Sequence, residues 1–395
     1  GMMLDFDFWD GIISGFYETD IVVRSNQCLK LRYPRSKCQR CLENCPASAI
    51  SFQQKVVLDE YQCTNCGICT HICPSEVFEL KPEVEKNIFT QMKESLKRGT
   101  KIYLICKKID KNSAFSSRDN LIEFPCLGGV DEWLLLWFIS RGLREIRLAT
   151  FECGNCPNKK GLPIINETVK IGKELFQVLD LKECSLGKIE TQAKLGREEV
   201  PGSFRKEVSL SRRELLTGLK DLPLEFGINV SKTVLNSFFR EKKEEEFKWG
   251  KNIPARHHRL IKAIQSLATG NLKKKNVSGL PLKKVSINDN CSGCNICSTL
   301  CPTHALSRVE KDNSVAISFN LAYCVGCGLC KEACPEKAIG YEDEITLEEI
   351  FDDHQRKLQE ITLLHCQLCQ SRYFSREGED LCPSCRKRKS LSLPH

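Results

Sequence analysis

The chain has 395 residues, 41% of them hydrophobic, a formal net charge of +8 and 25 cysteines. Its length predicts two to four domains, and its most apolar run, Trp133–Ile139, is far short of the roughly 20 residues a bilayer needs, which excludes a membrane-spanning helix. The cysteines lie in tight C-x2-C runs and the acidic, aromatic N-terminus has no basic leader; this excludes a secreted disulfide framework and predicts thiolates that share metal in a reducing cytoplasm.

In chain order, residues 20–82 form a first cysteine-rich module. It holds Cys28, then Cys38-x2-Cys41-x3-Cys45-Pro, a strand-like Lys55–Asp59, and Cys63-x2-Cys66-x2-Cys69-x3-Cys73-Pro. Residues 86–182 alternate between strand and helix. The predicted elements are a strand at Thr100–Cys106, a helix at Val130–Ser140, a strand at Arg144–Phe151 and a helix at Glu167–Leu179, an α/β pattern with a short parallel sheet. Residues 185–280 are charged and free of cysteine, a mostly helical linker with helices at Glu207–Leu219 and Arg256–Ala268. Glu241–Glu246 and Lys273–Lys275 are read there as solvated surface. Arg212-Arg213 looks like an export signal but lacks an apolar stretch behind it, so it reads as a helix start after Ser211. His257-His258 reads as an exposed helical pair rather than a metal site.

Residues 282–345 repeat the first pattern, with strand-like Lys284–Asn288 and Val315–Asn320 beside two intact runs. These are Cys291-x2-Cys294-x2-Cys297-x3-Cys301-Pro and Cys324-x2-Cys327-x2-Cys330-x3-Cys334-Pro. Residues 360–390 close the chain with Cys366-x2-Cys369-x12-Cys382-Pro-Ser-Cys385.

The spacing has a physical reason. Three thiolates three residues apart on a tight turn reach three irons of one cubane, and the fourth, read as starting a helix that leads away, serves the other cluster. This groups Cys291, Cys294, Cys297 and Cys334 around one [4Fe–4S] cluster and Cys324, Cys327, Cys330 and Cys301 around a second. In the first module Cys63, Cys66 and Cys69 pair with Cys45. Its other run has Arg35 at the leading position, so Cys28 completes Cys38, Cys41 and Cys73 if its loop folds back. The alternative is a three-iron cluster on three thiolates. Both modules resemble bacterial-type two-cluster ferredoxins, which implies ferredoxin-like folds and electron transfer.

The tail resembles a zinc ribbon, which implies a closed Zn²⁺ site on Cys366, Cys369, Cys382 and Cys385. Rubredoxin-type iron fits less well because Gln370 and Arg386 stand where its knuckles carry glycine. The central region is similar to the iron–sulfur delta subunit of methyl-viologen-reducing hydrogenase at Leu104-Ile-Cys106, Pro125-Cys126-Leu-Gly-Gly-Val130 and Ser140-Arg-Gly-Leu143. That resemblance implies a [2Fe–2S] cluster on Cys106, Cys126, Cys153 and Cys156, although one cysteine of a usual pair is missing and the Cys153 spacing is compressed. Cys184 is left spare.

The reading is therefore an α+β multidomain chain: two ferredoxin-like modules around a small parallel-sheet domain, a helical linker and a ribbon. Four clusters of about −2 each offset the excess of Lys and Arg, so the charge does not mark a nucleic-acid surface. No dinucleotide fingerprint, P-loop or hydrolytic triad is present, and no residue is read as catalytic. The expected role is a cytoplasmic relay of single electrons between oxidoreductases in an anaerobe, with hydrogenase-like or heterodisulfide-reductase-like partners. The competing reading is a redox sensor or assembly factor whose ribbon, with the basic Arg386–Lys389, contacts nucleic acid or protein.

Overall fold

The computed structural model describes residues 19–191, 253–268, 275–311, 313–352, 354–375 and 380–391. The first module runs β1 (Ile21–Val23), α1 (Leu29–Arg32), α2 (Arg40–Asn44), β2 (Ile50–Gln53), β3 (Lys55–Leu58), α3 (Ile68–Ile72) and β4 (Phe78–Leu80). Strands β1 and β4 pair antiparallel with Ile21 opposite Leu80, and β2 and β3 form a hairpin. Ile21, Ile50, Val56, Val77 and Phe78 make a small apolar core against which the cysteines pack. Helices this short cannot stand alone in water, so the cysteine-bearing turns and this core hold them.

The cysteine before each proline closes a helix rather than opening one, contrary to the sequence expectation. Cys45 and Cys73 end α2 and α3 in extended conformation, at φ −67°, ψ 116° and φ −77°, ψ 114°. The ring of the following proline disfavours the helical region for the residue before it. The thiolate is thereby turned out of its own helix towards the other run.

The next domain runs α4 (Pro82–Ser95), β5 (Lys101–Cys106), α5 (Lys111–Ala114), β6 (Leu121–Phe124), α6 (Glu132–Ser140), β7 (Glu145–Ala149), α7 (Gly161–Val178) and β8 (Ser185–Ile189). Its four strands are all parallel, in the order β6-β5-β7-β8. Ile102, Leu104, Ile122, Ile146 and Leu148 are fully buried in it, as expected of strands covered on both faces. Helix α6 is apolar almost all round, and the Asp131 carboxylate caps it by accepting the Leu134 N–H at 3.3 Å. Strand β8 belongs to this sheet, so the domain runs past the expected end at residue 182. Only tertiary pairing makes a strand of a segment that begins a charged stretch.

Within the charged stretch, Glu207–Leu219, Arg212-Arg213, Glu241–Glu246 and the pair Lys273-Lys274 lie outside the described residues. Helix α8 (Ala255–Leu267) falls where one was expected. It has a defined job: it joins three parts of the fold. The Glu76 carboxylate accepts the Ala255 and Arg256 N–H groups at its N-terminus, and the Arg256 guanidinium donates to the Cys73 carbonyl at 3.3 Å. Arg259 pairs with Glu85 at 3.0 Å and lies 5.2 Å over the Trp133 ring. His257 is buried rather than exposed, and its Nε2 meets the Ala322 carbonyl at 2.7 Å; only His258 of that pair is exposed.

The second module runs β9 (Asn276–Val277), β10 (Lys284–Ile287), α9 (Ile296–Leu300), β11 (Leu306–Lys311), β12 (Ser314–Phe319), α10 (Leu329–Ala333), β13 (Ile339–Glu342), β14 (Ile345–Thr346) and α11 (Leu347–Phe351). It repeats the first: β10 pairs with β13 as β1 does with β4, and β11–β12 is the hairpin. The tail follows as β15 (Arg356–His365), β16 (Arg372–Ser375) and α12 (Pro383–Leu391). It is continuous with the module, because β15 pairs with β12 to give one sheet, β11-β12-β15-β16. Among the described residues no helix is long and apolar enough to cross a membrane.

Burial, opposed by the Ala322 hydrogen bond, pushes the His257 imidazole down to about 4, whereas the unfolded value is about 6.5. The stability tied to this neutral ring is complete above the unfolded value and is lost as pH falls towards the folded one. The stability read by anaerobic urea denaturation should therefore fall in that window for the wild type, and the fall should flatten for His257→Gln. His257→Ala should cost about 1–3 kcal/mol at neutral pH.

Candidate metal centres

All 25 cysteines are free of disulfides. In each intact run the residues on either side of the second cysteine adopt left-handed backbone: Asn65 and Gly67, Gly293 and Asn295, Gly326 and Gly328, with φ between 53° and 82°. Glycine and asparagine tolerate this region best, which explains the residue types between the cysteines. A second left-handed residue stands three places after each Cys-Pro cysteine, at Ser48, Glu76, His304 and Lys337. These turns wrap the thiols around a common centre. They also aim amides at sulfur: Ala49, Val77 and Ala338 donate to the Cys45, Cys73 and Cys334 Sγ atoms at 3.3–3.4 Å.

Four quartets result. Cys291, Cys294, Cys297 and Cys334 line one pocket. Burial and the neighbouring Cys291, Cys294 and Cys334 thiolates push Cys297 up to about 12. Cys301, Cys324, Cys327 and Cys330 line a second pocket. Burial raises Cys330 strongly, with Cys327, Cys324 and Cys301 adding to it. In the first module, burial raises Cys69, and Cys66, Cys63 and Cys45 raise it further.

The altered run is where the sequence left two readings open. Gln39, which stands where the other runs have left-handed Gly or Asn, has φ −131°, so this loop does not double back. The vacated side is filled by Cys28, which caps α1. Cys28, Cys38, Cys41 and Cys73 line one pocket. Cys41 is pushed up to about 12 by burial and then by Cys73, Cys38 and Cys28.

Each quartet thus holds at least one thiol, Cys41, Cys69, Cys297 or Cys330, whose ionisation is opposed both by desolvation and by its companions. A cationic core in the cavity relieves both penalties, so the donor sets fit iron–sulfur cores.

The central cysteines lie at the carboxyl ends of parallel strands, where open α/β sheets form their binding sites. Cys106 ends β5, Cys126 follows β6, and Cys153 and Cys156 follow β7. Burial pushes Cys126 up to about 12, with Cys66, Cys106 and Cys153 contributing. Cys153 rises to about 11 through burial, Cys106 and Cys156. The Gly128 and Asn158 amides donate to the Cys126 and Cys156 Sγ atoms at 3.5 and 3.4 Å. Cys184 stands apart, beside Arg144.

In the tail, the sulfurs of Cys366, Cys369, Cys382 and Cys385 all lie within 4.8 Å of one another, and among the described residues this is the group drawn so tightly. Cys369 and Cys382 are 3.7 Å apart, close to the edge of a tetrahedron with ~2.3 Å metal–sulfur bonds. Burial opposes ionisation of Cys366, but the Cys382, Cys369 and Leu368 amides lower it to about 6.

The 4Fe–4S dicluster domain family matches residues 35–77 and 290–338. An uncharacterized ferredoxin of Methanocaldococcus jannaschii is 32% identical over 50 residues, which are 12% of this chain and 81% of that protein. The chain belongs to the ferredoxin family. It is an iron–sulfur protein of electron transport that binds [4Fe–4S] clusters. This ferredoxin is also 40% identical over 45 residues to one component of an ion-translocating oxidoreductase complex from Methanosarcina acetivorans. The match covers 11% of the chain and spans 17% of that component's length.

Some functional groups of the ferredoxin escaped the sequence. The amide donors to sulfur leave no trace in side-chain type. Tyr341 faces the Cys301 quartet, and burial together with Cys330, Cys324 and Cys327 raises its phenol.

A close fit between domains gives a test. A Cβ on Gly128 would lie 2.9 Å from the Ile68 side chain and 3.0 Å from the Gly161 backbone, whereas one on Gly154 meets nothing within 4 Å. Gly128→Ala should destabilise by about 1–3 kcal/mol and Gly154→Ala by no more than about 0.5 kcal/mol, read by anaerobic thermal unfolding.

Proposed function

We propose that this ferredoxin is a multi-cluster relay that passes single electrons between oxidoreductase partners. The observation that supports the reading is that cysteines of two separate runs approach one another in each module, close enough for their thiols to oppose the ionisation of Cys41, Cys69, Cys297 and Cys330. Cys28, Cys38, Cys41 and Cys73 hold one [4Fe–4S] cluster; Cys45, Cys63, Cys66 and Cys69 hold a second. Cys291, Cys294, Cys297 and Cys334 hold a third; Cys301, Cys324, Cys327 and Cys330 hold a fourth. Cys106, Cys126, Cys153 and Cys156 hold a [2Fe–2S] cluster, and the tail quartet holds Zn²⁺ as a structural ion.

Bound clusters supply one-electron redox chemistry. The protein's share is to set the potentials through amide–sulfur hydrogen bonds and burial, and to exclude water with the apolar residues around each cavity. The likeness to a component of an ion-translocating oxidoreductase complex supports docking to other redox proteins. The resemblance of the central region to a hydrogenase delta subunit points to hydrogenase-like or heterodisulfide-reductase-like partners in an anaerobic cytoplasm.

Anaerobic purification followed by iron, sulfide and zinc analysis should give about 16 iron from the cubanes, about 2 from the central site and about 1 zinc. Cubane iron of about 12 or less would refute the assignment of the N-terminal module. Cys28→Ala should lower the iron content or convert one cubane to a three-iron form visible by EPR in the oxidised protein. Cys184→Ala should leave iron unchanged.

A further inference from the structure

We infer that the five cysteine quartets read as iron-binding, the tail quartet apart, form one unbranched series, with the Cys291 quartet at one end and the central quartet at the other. The order is Cys291, Cys301, Cys28, Cys45, central, each quartet named by its first cysteine or position. This rests on the multi-cluster reading above and adds to it the path and its two ports.

Within each module the crosswise cysteines set neighbours side by side. Cys45 follows Cys41 by one helix yet faces Cys66 and Cys69, and Cys301 follows Cys297 yet faces Cys327 and Cys330. The modules meet through the loops of the Cys28 and Cys301 quartets. Glu332, two residues past Cys330, accepts the Lys37 N–H and the Ser36 hydroxyl. Arg40, next to Cys41, donates to the Gly326 carbonyl at 3.4 Å, next to Cys327.

The last step joins the Cys45 quartet to the sheet domain. Lys160 Nζ donates to the Glu43 and Cys45 carbonyls, both at 2.9 Å, and the Thr64 hydroxyl donates to Asn158 Oδ1 at 3.2 Å. Cys66, Ile68 and Cys126 share one buried apolar cluster. The places where a partner could approach lie at the ends. Cys294 is exposed, as are Gly154 and Asn155 between the last two central cysteines, whereas Cys66, Cys69, Cys73 and Cys301 are buried.

The test uses the full chain, loaded anaerobically and checked for iron before any magnetic measurement. Iron short of about 18 per chain overturns the multi-cluster reading and this order with it. With full iron, stepwise reduction should broaden and speed the relaxation of the central [2Fe–2S] EPR signal as its cubane neighbour becomes paramagnetic. That effect should be lost in Cys66→Ala, with cubane iron reduced, and kept in Cys294→Ala. Glu332→Lys, which removes the Ser36 and Lys37 hydrogen bonds without touching a ligand, should weaken the spin–spin coupling between the two modules. A fully loaded chain whose central signal ignores all cubane reduction overturns the order even if the ligand variants misfold. So does a central signal that loses its broadening in Cys294→Ala.

Discussion

The modules depend on bringing thiols together against desolvation and against one another. In each quartet burial and the neighbouring sulfurs oppose ionisation of one member, Cys41, Cys69, Cys297 or Cys330, and the apolar core of the first module is small. Five-residue helices and three-residue strands bury too little to hold such a charge density together. The structure is therefore built around cores that must neutralise it. Everything nearby serves that need: left-handed turns that aim sulfur inward, prolines that end helices on cysteine, and amides that point at the thiolates.

The parallel-sheet domain is the rigid part. Its strands are fully covered, and its loops present cysteines at one end of the sheet. Helix α8 ties it to both modules through Glu76, Arg259 and the buried His257. A charged segment thus supplies the fastening of the assembly, since its polar groups find partners on three different surfaces.

Which cysteines lie together was legible because spacing on a tight turn leaves little geometric choice, and the repeat pointed to the run that each Cys-Pro thiol faces. The central strand–helix alternation was legible for the same local reason, periodicity. Strand β8 and the pairing of β15 with β12 were not, because both are decided by partners far along the chain. His257 misled for a related cause: a polar residue beside another histidine reads as exposed until the Ala322 carbonyl that receives it is in view. The placement of Cys28 turned on Gln39, whose backbone departs from the left-handed turn of the other runs, a conformation that residue type alone does not dictate.

The crosswise arrangement has a consequence for how the chain matures. Since Cys45 sits with Cys63–Cys69 and Cys73 with Cys28–Cys41, neither half of a module can complete its own cage. A nascent chain that has emerged only as far as Cys45 offers incomplete ligation to any cofactor donor. A four-thiolate cage in either module therefore draws on both of its halves.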